Sequence, residues 1–93
     1  MDCETLKFSR HALERMFERR ISEPEVEEAV RNGEVIEEYS EDTPYPSQLL
    51  LGWFGGRPLH VVAAYDPGSG TCVVITAYVP DATQWNEDFK TRR

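Results

Sequence analysis

The apolar pattern of this chain changes period at Gly33. Before it, apolar side chains recur at helical spacing; after it, they alternate or run together between turn signals. A chain with its helical signals in the first third and its strand signals in the rest is of the α+β class. Two helices with one apolar stripe each must then be buried against one face of a sheet.

The first helical stretch is FSRHALERMFERRIS. Ser9 is an N-cap, and Ala12, Leu13, Met16 and Phe17 fall on one arc expected to face inward. His11, Arg15 and Arg19 line one edge of that arc, although like charges four residues apart weaken an isolated helix. In ISEPEVEEAV, Ser22 and Glu25 have capping-box spacing, and Ile21 and Val26 that of a hydrophobic staple. Pro24 in the first turn costs no helical hydrogen bond. Val26, Ala29 and Val30 face inward, and Asn32 and Gly33 end the helix, with Gly33 expected as its left-handed residue.

EVIEEY then predicts a short, charged, edge-like strand, and EDTPYP a loop. SQLLLGWF and RPLHVVAAYD flank Gly55-Gly56 as a hairpin. DPGSG is a turn, and TCVVITAYV, the most β-like run, stops at Pro80 and Asp81. The tail DATQWNEDFKTRR predicts a short helix or an extended strap, with Trp85 and Phe89 four apart. No leading strand is evident in CETLKF. The expected fold is a single α+β domain over residues 1–93. Two N-terminal helices pack on one face of a four-stranded, mainly antiparallel sheet, a short C-terminal strap or helix follows, and the other face stays partly open.

Ninety-three residues support one thin core, so any site should be a shallow surface groove. The net charge of −7 resides in residues 21–42, which hold nine acidic side chains and one basic. That argues against general nucleic-acid affinity but permits a local basic patch. LHVVAAY and TCVVITAYV are too short to span a membrane, and MDCETLKFSRH lacks the apolar stretch of a signal peptide, so a cytoplasmic protein is expected. Cys3 and Cys72 have no metal-type spacing and read as two free thiols. With His11 and His60 they form a nominal zinc set in which no pair has finger-like spacing. There is no glycine-rich phosphate loop, HExxH, paired CxxC or GxSxG, and the carboxylates cluster in one solvated helix and loop. Triphosphate, zinc-hydrolase, serine-hydrolase and metal-nuclease chemistries all lose support, and no cofactor is implied.

Strand alternation groups His60 with Val62 and Ala64, and Thr76 and Tyr78 with Val74 and Cys72. If the last two strands pair with both polar sets on the open face, His60, Thr76 and Tyr78 form a polar cluster. Each has an ordinary structural explanation: a hydrogen-bonded strand histidine, arginine stems covering apolar surface, a packed tyrosine. Trp53, Phe54 and Trp85 read as core or strap contacts. Together, however, His11, Arg15, Arg19, His60 and Tyr78 are the groups a metal-independent ribonuclease uses: a base for the 2′-hydroxyl, an acid for the leaving oxygen, cations for the phosphate. Arg57, Thr76, Lys90, Arg92 and Arg93 are the accompanying RNA-binding candidates.

The blocks FSRHALERM, RPLHVV and ITAYVP, within a correspondence running nearly end to end, resemble the small bacterial and archaeal domain-of-unknown-function family numbered 4258. That family has no settled activity. Its members look like RelE, BrnT and MqsR type toxins, compact ribonucleases with two helices on an antiparallel sheet, often encoded beside a zinc-finger antitoxin. The resemblance implies a type II toxin acting on RNA, with a cognate antitoxin as partner, a small zinc-finger protein in that arrangement, and no membrane association. A homodimer is compatible with it. The competing readings are a non-catalytic protein- or RNA-binding module of the same fold, and a small metal enzyme built on His11, His60 and a cysteine.

Overall fold

The structure, a computed structural model, describes residues 1–93. The elements follow in the order β1 (Thr5–Phe8), α1 (Arg10–Arg19), α2 (Glu23–Asn32), β2 (Glu34–Tyr39), β3 (Ser47–Phe54), β4 (Arg57–Asp66) and β5 (Thr71–Tyr78). They form a five-stranded sheet in the order β1-β5-β4-β3-β2. The class is α+β with two helices, but the expectation of a four-stranded, mainly antiparallel sheet is corrected: a leading strand is present, and the sheet is mixed. β1 pairs parallel to β5, from Thr5 opposite Thr71 to Phe8 opposite Val74. TLKF gave no signal because it is a four-residue edge strand, too short to display alternation.

What holds β1 is remote in sequence. Cys3, just ahead of it, is disulfide-bonded to Cys72 at a Cα separation of 5.6 Å, which corrects the reading of two free thiols and removes both thiolates from any metal site. The Met1 ammonium donates to the Val30 carbonyl at 2.7 Å. Leu6 and Phe8 pack against the core from the edge.

Both helices start where their caps place them. The Ser9 hydroxyl accepts from the Ala12 N–H, and Ser22 and Glu25 complete the reciprocal capping box. α2 ends at Asn32 and Gly33 as expected, and only the conformation of the cap differs. The left-handed residue is Arg20, at φ 56°, whereas Gly33 is extended. Gly33 is required by a close approach instead, since a Cβ there would lie 2.2 Å from the Ala29 carbonyl oxygen and 2.8 Å from that of Leu51. Gly52 similarly lets α2 settle on β3.

The helix-side core joins Ala12, Met16, Ile21, Val26, Ala29 and Val30 to Leu50, Leu59, Val61, Ala63, Cys72, Val74 and Ala77. α1 packs over β5, near one margin of the sheet, so it buries only Ala12 and Met16. Leu13 is left partly exposed and Phe17 almost wholly so, at 87%.

The other sheet face is covered in part: Val62, Thr76 and Tyr78 on it remain half-buried. Residues 81–93 form a strap folded back on itself, with Trp85 bridged to Arg92 and Trp85 only 2% exposed. Beneath it lie Leu49 and Leu51, buried outside the helix-side core. Of the two expectations for the tail, strap and helix, the strap is what forms. No helix is long and apolar enough to cross a membrane.

Candidate functional site

Strand register creates a polar cluster beneath the strap. Leu51 on β3 faces His60 on β4, and His60 faces Tyr78 on β5. A step along, Leu49, Val62 and Thr76 align in the same way. The grouping of His60 with Thr76 and Tyr78 is thus geometrically correct. Val62 keeps its expected place beside His60, but Val74 and Cys72 do not keep theirs with Thr76 and Tyr78, because a register shift between Val62 and Ala63 sends them to the helix side.

His60 is completely buried. Its Nε2 lies 2.8 Å from the Phe89 carbonyl oxygen and its Nδ1 3.2 Å from the Tyr78 hydroxyl. A carbonyl only accepts, so Nε2 carries the proton. Nδ1 of the neutral ring is then an acceptor, and the Tyr78 hydroxyl donates to it. Tyr78 and Trp85 both meet the imidazole edge to face, at ring separations of 5.3 and 4.5 Å. The result is a phenol, a base behind it and a backbone group orienting the base.

Electrostatics keep the groups of this cluster neutral. Burial holds the His60 pKa below its ordinary value, and the Phe89 carbonyl, which favours the protonated ring, offsets this only in part. Burial also raises the Tyr78 phenol, with the charges of Arg92 and Arg19 pulling the other way. Next to them, Tyr39 donates to Glu37 Oε2 at 2.6 Å. Burial and that bond push Tyr39 up to about 12.

The candidates from the sequence do not all converge here. His11 is exposed in the first turn of α1, a helix packed on the opposite face of the sheet from His60. Arg15 pairs with Glu18 at 3.0 Å on the helix surface. Arg19 alone of that stripe reaches the cluster's margin: it donates to the Ala77 carbonyl at 2.9 Å, beyond the stretch of β5 that β1 covers. Arg57 pairs with Glu25 at 3.4 Å, Lys90 with Glu34 at 3.0 Å, and Arg93 donates to the Ala82 carbonyl. Arg92 lies over the Trp85 ring, 4.5 Å from its centroid. The cationic residues therefore form no single patch.

Glu37 and Tyr39 belong to this site and were not among the candidates. Their two-residue spacing in EVIEEY does place them on one strand face, but a charged edge strand reads as solvated. No three His, Cys, Asp or Glu side chains converge in a way that could hold a metal. The surface grooves are shallow. One of about 510 Å³, lined by Met1, Asp2, Cys3, Glu4, Arg31, Asn32 and Tyr65, contains none of the polar cluster.

No curated protein and no solved structure matches the chain significantly. One protein family does, over residues 8–79, from the last residue of β1 to Val79, just ahead of the strap. That span is well over half of the chain, which therefore belongs to the family described as a domain of unknown function, DUF4258.

Proposed function

We propose that this chain acts on RNA as a metal-independent endoribonuclease, the toxin of a type II toxin–antitoxin pair working in the cytoplasm. The observation that carries the reading is the Tyr78 hydroxyl donating into His60 Nδ1 while the Phe89 carbonyl fixes the tautomer. In such a reaction Tyr78 takes the proton of a 2′-hydroxyl as its own passes to His60. The freed oxygen attacks phosphorus, and the departing 5′-oxygen is protonated from solvent. Arg19, whose charge already acts on Tyr78, would offset charge on the crowded phosphate. Kinship with RelE, BrnT and MqsR type toxins is part of the same proposal, and would bring with it a cognate antitoxin, a small zinc-finger protein in that arrangement.

The test is RNA cleavage in the presence of EDTA by the native protein, His60→Gln and Tyr78→Phe. Loss of a general acid or base lowers turnover on the order of 10²-fold or more, and both variants should show it. Native-rate cleavage by either variant, or activity that EDTA abolishes, would overturn the assignment. One observation favours a second reading, a non-catalytic binding module: His60 has no exposed surface. RNA binding without cleavage by all three proteins would decide for that alternative.

A further inference from the structure

The strap is bonded to itself rather than to the sheet. Gln84 and Trp85 donate to the Asp81 carbonyl, Asn86 to Thr91, Phe89 to Asn86 and Arg93 to Gln84. No backbone hydrogen bond joins it to any strand. It begins after Pro80, which has no N–H with which to extend the ladder of β5. Its polar attachments to the body are the Phe89 carbonyl on His60 and the exposed Lys90–Glu34 pair. An edge contact between Phe89 and Trp53 adds to these, with the rings 6.0 Å apart. The family match ends at Val79, so the shared domain stops short of the strap.

What the strap presents to His60 is specific: one carbonyl oxygen for Nε2–H and one flat, apolar ring, the Trp85 indole, against the imidazole. The indole is capped on its own account by the guanidinium of Arg92. Without the strap the face would offer the uncovered His60 N–H, the space the Trp85 ring takes against the imidazole with Leu51 beside it, and Arg19 near Tyr78.

We propose that residues 81–93 are a built-in occupant of a ligand site, and that an unpaired nucleobase bearing a ring carbonyl displaces them. The carbonyl of the base accepts from His60 where Phe89 does, and its ring fills the place of Trp85. The identity of the base rests on the RNA reading above; the displacement of the strap does not.

Site-resolved acylation of the full chain by diethylpyrocarbonate separates the two. Exposed His11 is the internal standard, because His60 reacts only when the strap lifts. The expected result is slow His60 acylation under native conditions. It should be faster by roughly five- to tenfold in Phe89→Ala, which loses half-buried apolar contact. In Glu34→Gln, which loses only an exposed ion pair and keeps the chain's packing, the gain should be about twofold. A short oligouridylate should then protect His60 in Phe89→Ala and shift Trp85 emission in a Trp53→Phe background, whereas an abasic oligomer should do neither. If His60 reacts only in step with global unfolding in the native protein and Glu34→Gln, the strap is an integral part of the fold and the proposal is overturned. If the strap lifts but oligouridylate has no effect, the nucleobase is overturned as occupant. RNA cleavage that still depends on Tyr78 would in that case leave the ribonuclease reading standing.

Discussion

The two faces of the sheet are closed by different means. On one, two capped helices lay Ala, Val, Met and Ile side chains on a wholly apolar layer. On the other, a strap without regular structure covers a layer that mixes Leu49 and Leu51 with His60, Tyr78, Glu37 and Tyr39. The first arrangement gains free energy chiefly from area removed from water, and its buried carboxylate, Glu25, is satisfied by Ser22 and Arg57. The second buries polar groups that must each find a partner, and it finds them through a few hydrogen bonds to single residues. The contrast places stability on the helix face and adaptable chemistry on the strap face.

Truncating one leucine on each side is the most direct way to break that comparison. Leu50→Ala, in the helix-side core, should cost about 3–4 kcal/mol, because the packed helices cannot close the cavity. Leu49→Ala, equally buried but under the strap, should cost less, about 2 kcal/mol, and should quicken His60 acylation. Urea unfolding measures both. Equal losses without any change at His60 would mean that the strap packs as rigidly as the helices.

Next in size is the cap of α2. Ser22→Ala should destabilise by roughly 0.5–2 kcal/mol without altering reactivity at His60. An unchanged denaturation midpoint would count against the capping box as a stabilising element.

The pH dependence sharpens the contrast from the other side. Because burial holds His60 below its ordinary pKa, the unfolded chain binds its proton first as pH falls. The contribution of a neutral His60 is fully present above about pH 6.5 and is lost progressively below it. Denaturation midpoints should therefore fall from pH 7 toward 5 more steeply in the native protein than in His60→Gln. Parallel curves would show that the strap face does not sense the proton.

The smallest effects should come from α1. Arg15→Ala removes an exposed ion pair and should change stability by no more than about 0.5 kcal/mol. Arg19→Ala removes a bond to the sheet edge at a cost of about 1 kcal/mol. Of the two, only Arg19→Ala should weaken RNA binding, as read by anisotropy. Equal weakening by both would extend the site around the helix.

What could be read from the residues was mostly local. Ser9, Ser22 and Glu25 act on backbone groups within one turn, so their positions sufficed. The hairpin strands were equally legible from the Gly55-Gly56 turn between two apolar runs. β1 was not, since its pairing with β5 and the Cys3–Cys72 bond join segments far apart in the chain. Phe17 shows the limit of periodicity: helical spacing identifies an apolar arc but not how much of it a helix at the sheet margin will cover. At the site, His60 and Tyr78 were grouped by alternation and an assumed strand pairing, whereas the register shift that parted Tyr78 from Val74 and the strap that buried His60 are tertiary facts.

The disulfide also determines how the molecule would respond to a pull on its two ends. Cys3 and Cys72 lie 69 residues apart, and the bond between them takes every helix and four of the five strands out of the load path. Tension applied at Met1 and Arg93 would reach only the first residues and those after Cys72, peeling off the strap and then β5. The extension available to an oxidised chain is roughly 80 Å, against some ~320 Å for a reduced one. A force-extension trace would thus report the strap's detachment as its own early event, ahead of the loss of β5 with Val74 and Ala77, while the segment from Cys3 to Cys72 bears no load until a reductant is added.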